Sequence, residues 1–275
     1  MIIAYLFLVL FVGLYNYKTS NSNDYLFASR KLTLPSFIAT IVTTWYGGIL
    51  EIGRFTYYHG IVTWIIFGLF YYISAIIFTL YIGPKIHENN IKSIPEYFYK
   101  YLGNIPGLIA SILIFLISSP APYILILSSI ITNIYNVDIS ISILISILCS
   151  TIYIYNGGLK SIIRTDKIQF IFMYLGFAVM LFYLYTNFGG IDFIIKNVPE
   201  GHFQLSDSIP ISYILSWFFI SFIIVIDPSI FQRTYSTKNI TTVKKGLLIS
   251  IFFWFIFDIM TLTTGLYAAA IISEV

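Results

Sequence analysis

The sequence predicts an all-α polytopic membrane protein with about eight transmembrane helices. Of its 275 residues, 58% are hydrophobic and 10% are charged, with mean hydropathy +0.88. A soluble domain carries about 25% charged residues. The apolar residues form long continuous runs, not the short alternating segments of a β-barrel. No polar stretch exceeds roughly thirty residues, too few to fold as a separate soluble domain.

The apolar runs are 1–16, 34–57, 61–83, 106–132, 139–157, 166–187, 209–227 and 243–270. The first has no basic n-region and no small-residue cleavage site, and Lys18 follows it directly. It therefore reads as a retained span and not as a signal peptide. With the 17–33 loop inside, the inner loops collect every lysine and arginine except Arg54 and Lys196, thirteen of the 15. Because inner loops are the basic ones, both the N-terminus and Val275 are expected on the outer side of the cell membrane.

Polar and helix-breaking residues within spans carry the information, because hydrocarbon penalises every unsatisfied group. The second span reads TIVTTWYGGILEIGRF, with Gly47 and Gly48 near its middle. The glycines suit either a broken helix, which frees carbonyls for ions and solutes, or close helix packing. Trp45 and Tyr46 beside them suit solute contact or packing. Glu51 and Arg54 are spaced to pair on one face, as an interfacial ion pair or as part of an outer gate.

The fourth span contains SSPAPY, where Pro120 and Pro122 must kink the helix. Ser119 could turn a hydroxyl into a cavity there. Cys149, the single cysteine, lies in the fifth span, which excludes an internal disulfide or a cysteine-based metal site. His59, His87 and His202 are far apart and form no metal-ligand spacing. Trp217 lies in the seventh span. The eighth contains Asp258 with Thr261, Thr263 and Thr264 one turn on. A carboxylate at that depth is either an ion- or proton-coupling group or a hydrogen-bonded structural one.

Two loops resist explanation by capping alone. The loop after the fifth span reads NGGLKSIIRTDKIQF. There Gly157-Gly158 suits a helix end and Asp166 the positive start of the next helix. The loop after the seventh reads DPSIFQRTYSTKN, where Gln232 and Arg233 could bond helix-end carbonyls. Gly157, Gly158, Thr165, Asp166 and Gln169 match a spaced pattern of the sodium:solute symporter family. Gln232-Arg233 with Ser236-Thr237-Lys238 match a second, and IPEYFYKYLG from Ile94 resembles a third. Three motifs in order, in the expected loops, mark a resemblance to that family across essentially the whole chain.

The resemblance implies a leucine-transporter-like fold of two inverted five-helix repeats after one extra N-terminal helix. On that reading 1–33 is the extra helix and its loop, 34–187 the first repeat, and 188–275 the start of the second. The remaining three core helices, and the hydroxyl ligands that complete the family's sodium site, would then lie beyond these residues. The resemblance places the backbone sodium ligands at Ala39 and Val42, and Asp166 along the sodium route. Thr43-Thr44 stand where the family usually has Ser-Ala. Trp45, Tyr46, Glu51, Ser119 and Trp217 are the candidate solute contacts, and Asp258 a candidate coupling group.

The expected function is sodium-coupled symport of a small organic solute, an amino acid, sugar, vitamin or carboxylate, by alternating access. The expected partners are solute, sodium and the lipid bilayer, with no nucleic acid and no cofactor besides the coupling ion. A proton-coupled symporter of the same fold is one alternative, and a non-transporting membrane sensor or half-transporter is another. No HExxH or nucleotide-binding motif occurs, and no enzymatic activity is expected.

Overall fold

Helix dominates the computed structural model, which describes residues 2–15, 21–46, 49–205 and 209–272. Among these residues the one strand-like pairing is an isolated bridge, Leu32 with Thr237. In chain order the helices are α1 (Ile2–Leu14), α2 (Ser22–Phe27), α3 (Leu34–Trp45), α4 (Ile49–His59) and α5 (Val62–Glu88). Then follow α6 (Ile94–Leu102), α7 (Asn104–Ile117), α8 (Ala121–Tyr135) and α9 (Ile139–Phe188). The last are α10 (Ile191–Asn197), α11 (Ile211–Ile220), α12 (Pro228–Tyr235) and α13 (Ile240–Ile271).

Among the described residues, five segments are long and apolar enough to cross a membrane: Val62–Glu88, Asn104–Tyr135, Gly157–Phe188, Ile211–Tyr235 and Ile240–Ile271. Shorter apolar helices at Ala4–Leu14, Leu34–Trp45 and Ile139–Ile152 correspond to the first, second and fifth expected spans.

Several helices depart from a straight α-helix where the sequence requires it. The prolines of SSPAPY part α7 from α8, and Pro120 stands as the N-cap of α8. Within α5, two turns are wound wider, as π-helix, at Ile65–Leu69 and Phe78–Ile82. Between α11 and α12 the chain tightens into a 3₁₀ turn, Ser221–Val225, and Asp227 then caps α12 through the Ile230 amide at 2.7 Å.

The largest difference from the sequence reading is at 157–166, expected as an inner loop. Instead 159–165 is helical, and α9 is two helices that meet at a break at Gly158, with φ 52° and ψ −144°, where the sequence placed the end of the first. That conformation is open to glycine and strained for other residues. A Cβ at Gly158 would also collide with the Tyr25 carbonyl, so the bend requires glycine twice over.

The chain folds as two compact units interleaved in sequence. Unit 1 comprises 1–47, 83–169 and 227–246. Its core includes Phe37, Ile41 and Val42 of α3, Leu159 of α9 and Val243 of α13, all nearly inaccessible. Helix α13 approaches α3 so closely that a Cβ at Gly246 would meet the Phe37 ring. On the loops, Asp24 pairs with Lys160 and accepts from Ser29 Oγ at 2.6 Å. Arg30 Nη1 donates to Asn90 at 2.6 Å. The backbone of Leu32 donates to Ser236 and accepts from Lys238, both at 3.1 Å.

Unit 2 comprises 48–82, 170–226 and 247–275. One apolar cluster centres on Val62, Ile66 and Ile209, and another on Ile194, Leu266 and Tyr267. Gly265 lets α13 approach Thr56 of α4, the close packing that small residues permit between membrane helices. Hydroxyls are paired across helices: buried Ser74 with Ser221 at 2.6 Å, and half-buried Tyr174 to the Phe253 carbonyl at 2.6 Å.

Candidate ion site and polar centres

Three buried polar side chains meet in unit 1: Thr40 of α3, Asp166 of α9 and Arg233 of α12. The Thr40 hydroxyl donates to Asp166 Oδ2 and accepts from Arg233 Nε at 2.8 Å. Arg233 Nη2 lies 3.7 Å from the same carboxylate oxygen, and Nη1 donates to the Ser229 carbonyl at 3.3 Å. Thr40 thus bridges a charge pair slightly too long for a direct hydrogen bond. Away from water each charge depends on the other, because an unpaired ion in such a place costs several kcal/mol.

The sequence expectation for Asp166 therefore changes. It was placed at the positive end of a helix, where capping would account for it. In the structure it lies well inside a helical arm and is held by side chains of two other helices. Arg233, expected to bond helix-end carbonyls, is chiefly the counter-ion of Asp166. Its neighbour Gln232 does meet the capping expectation, donating to the Leu26 carbonyl at 2.8 Å near the end of α2.

Around this triad, α3 supplies further oxygen atoms. Ala39 and Val42 are buried. The Ala39 carbonyl accepts from Thr43 Oγ1 at 2.8 Å. Val42 lies near the C-terminal end of α3. Helix α3 ends at Trp45, and Tyr46, 5% exposed, follows with φ −89° and ψ 24°. The expected break residues, Gly47 and Gly48, lie outside the described residues.

The other candidates fall elsewhere. Ser119 is exposed, and its Oγ accepts from the Ala121 amide at 3.4 Å, at the start of α8. Trp217 packs on the Val62–Ile66–Ile209 cluster, edge-on to Phe67 with ring centroids 4.7 Å apart. Glu51 and Arg54 lie 3.7 Å apart on α4, each side chain 69% exposed.

Asp258 forms the polar centre of unit 2. It is buried on α13 and accepts a hydrogen bond from Tyr72 of α5. Gly68 makes room for that pair: a Cβ there would lie 3.0 Å from the Tyr72 hydroxyl and 3.2 Å from Asp258 Oδ2. Nothing along the chain singles out Tyr72, one of 23 tyrosines. The wide turn at Ile65–Leu69 beside it is a feature often seen at functional positions. Among the described residues no three His, Cys, Asp or Glu side chains are grouped as metal ligands.

Long apolar helices with interrupted turns, and charged side chains paired in their interior, are the marks of an integral membrane protein. The chain belongs to the sodium:solute symporter family, whose model matches residues 25–275. Among solved structures, a Na+-coupled sialic acid symporter in a substrate-bound, outward-open state, reported to reveal a novel Na+ site, superposes with TM-score 0.79. The two are 21% identical, over 98% of this chain and 60% of that one, so the likeness carries the fold. The expected leucine-transporter-like architecture is thus the architecture found. No curated protein matches the chain.

Proposed function

We propose that this protein carries a small organic solute into the cell together with sodium, by alternating access. Family membership supports coupled symport, and the buried Thr40–Asp166–Arg233 triad is the observation that carries the mechanism. Sodium takes hard oxygen ligands, as other hard cations do. The carbonyls of Ala39 and Val42 and the Asp166 carboxylate offer such atoms within unit 1. Arg233 already neutralises Asp166, so sodium passing that carboxylate competes with the guanidinium. The ion's arrival would loosen Arg233 from α9 and its departure would restore the pair. That exchange couples an ion to the packing of α3, α9 and α12.

The proposed solute contacts are Trp45, Tyr46, Glu51, Ser119 and Trp217, and the proposed orientation keeps the basic loops inside. In support of it, twelve of the thirteen basic residues assigned to inner loops are described residues and all fall in unit 1, whereas Arg54 and Lys196 fall in unit 2.

The test is uptake by the full gene product in proteoliposomes with imposed gradients. Sodium-driven accumulation that Asp166→Asn reduces at least tenfold is expected, with Arg233→Gln similar. Accumulation of every solute tried that ignores sodium would overturn the reading. Asp258, buried against Tyr72, supports a second reading in which protons drive transport. In that case a pH gradient without sodium drives uptake, and Asp258→Asn abolishes it.

A further inference from the structure

Helix α1 packs in unit 1 against the arm of α9 that carries Asp166. Near the C-terminal end of α1, Ser161 Oγ donates to the Gly13 carbonyl, and Arg164 Nη1 to the Tyr15 carbonyl at 2.8 Å. Eight residues before Gly13 and eight after Ser161, the Tyr5 oxygen accepts a hydrogen bond from Gln169, so the two helices run antiparallel. Tyr5, Val9 and Gly13 share a face of α1 that is buried or half-buried, whereas Phe7 and Phe11 are exposed.

Tyr5 is the only residue of Ile2–Leu14 whose side chain can form a hydrogen bond. Anchoring at a membrane edge does not account for it, because its partner Gln169 is the thirteenth residue of the apolar segment Gly157–Phe188. Gln169 follows Asp166 by three residues, on the same face of the helix, and the Asp166 charge acts on Tyr5 as well. The carboxylate itself is engaged by Thr40 and Arg233.

We propose that Tyr5 is a positioning residue for the ion route: by holding the Gln169 amide against α1, it keeps that amide from bonding Asp166. This role rests on the reading in which sodium passes Asp166. An N–H donor added to the carboxylate would stabilise the ion-free pairing, and sodium would have one more bond to displace. A glutamine three residues along the helix can reach the carboxylate once released. Helix α1 thus bears on the ion's affinity without touching the ion.

The experiment measures equilibrium binding of radiolabelled sodium to the purified full gene product in detergent. Tyr5→Phe removes only the hydroxyl. It should raise the half-saturating sodium concentration about fivefold, the net worth of one hydrogen bond. Adding Gln169→Leu to Tyr5→Phe should return that concentration to the wild-type value, because the released amide is gone. Arg164→Gln cuts the tie to Tyr15 and is expected to lower the melting temperature with sodium affinity unchanged. A shift that persists in the double variant, or an equal one from Arg164→Gln, would overturn the proposal, since either makes α1 a packing element only. If the wild type binds sodium and Tyr5→Phe binds it equally well, the role of Tyr5 falls alone. If the wild type binds no sodium, the symport reading falls and this role with it.

Discussion

Asp166 and Arg233 are a buried pair whose value shows only when one is removed. Asp166→Asn leaves a guanidinium with a neutral partner, and Arg233→Gln leaves a carboxylate held only by neutral groups such as the Thr40 hydroxyl. Each single change is expected to destabilise unit 1 by about 3–5 kcal/mol. The double variant should cost much less than the sum, because neither charge is stranded. Thermal unfolding in detergent across the four proteins measures the coupling; strict additivity would mean the 3.7 Å approach is incidental. The sequence made Asp166 legible through its motif but not its partner, because Arg233 arrives from a distant helix and only packing unites them. Tyr72 was hidden for the same reason, since nothing in its neighbourhood along the chain refers to Asp258. Gly158 was visible as a helix breaker, but the Tyr25 carbonyl that also requires it was not. Gly158→Ala should therefore destabilise by more than about 1 kcal/mol, with strain and collision adding; an unchanged melting temperature would show that α9 can bend by another route.

At the scale of elements, the spans were legible because hydrophobic length is a strong signal, and their ends were less so. Helix α9 was expected as two helices with a polar loop, since NGGLKSIIRTD looks like a connector. Its Leu, Lys, Ile and Arg residues are good or tolerable helix formers, so one glycine sufficed for the bend. The prolines of the fourth span, by contrast, parted two helices at the expected place. The junction before α9 is set by Asp138, whose carboxylate accepts the Ser140 amide at 2.8 Å. That bond holds the Asp138 carboxyl below its usual range. A lowered value means its small stabilisation is present above the ordinary carboxylate pKa and disappears as pH falls through the lowered one. The difference in melting temperature between wild type and Asp138→Asn is thus expected at pH 7 and should close in acid; a difference constant with pH would assign it to shape instead of charge.

For the whole molecule, the positive-inside pattern and the family fold came from the same few residues, because basic loops are also where the family motifs sit. In a Cys149→Ser background, Lys196→Cys should react with an impermeant thiol reagent from outside intact cells, and Lys238→Cys only after permeabilisation. The reverse result would invert every loop. The arrangement of the polar centres within each unit was beyond the sequence. Such centres form between helices remote along the chain, and hydropathy reports only how far each helix runs.

Helix α5 offers a different kind of dependence. Each of its two wide turns, Ile65–Leu69 and Phe78–Ile82, accommodates one amino acid more than an α-helix needs. In a regular helix one residue is worth about 100° of rotation. Tyr72 and Ser74 come after the first wide turn, and their phase, with Tyr72 toward Asp258 and Ser74 toward Ser221, is set by that surplus residue. Winding those same residues as plain α-helix would keep every tyrosine, serine and aspartate, yet swing the hydroxyls a quarter-turn or more away from their partners. The width of a turn, and not side-chain identity alone, is what keeps the interior of α5 polar where it must be.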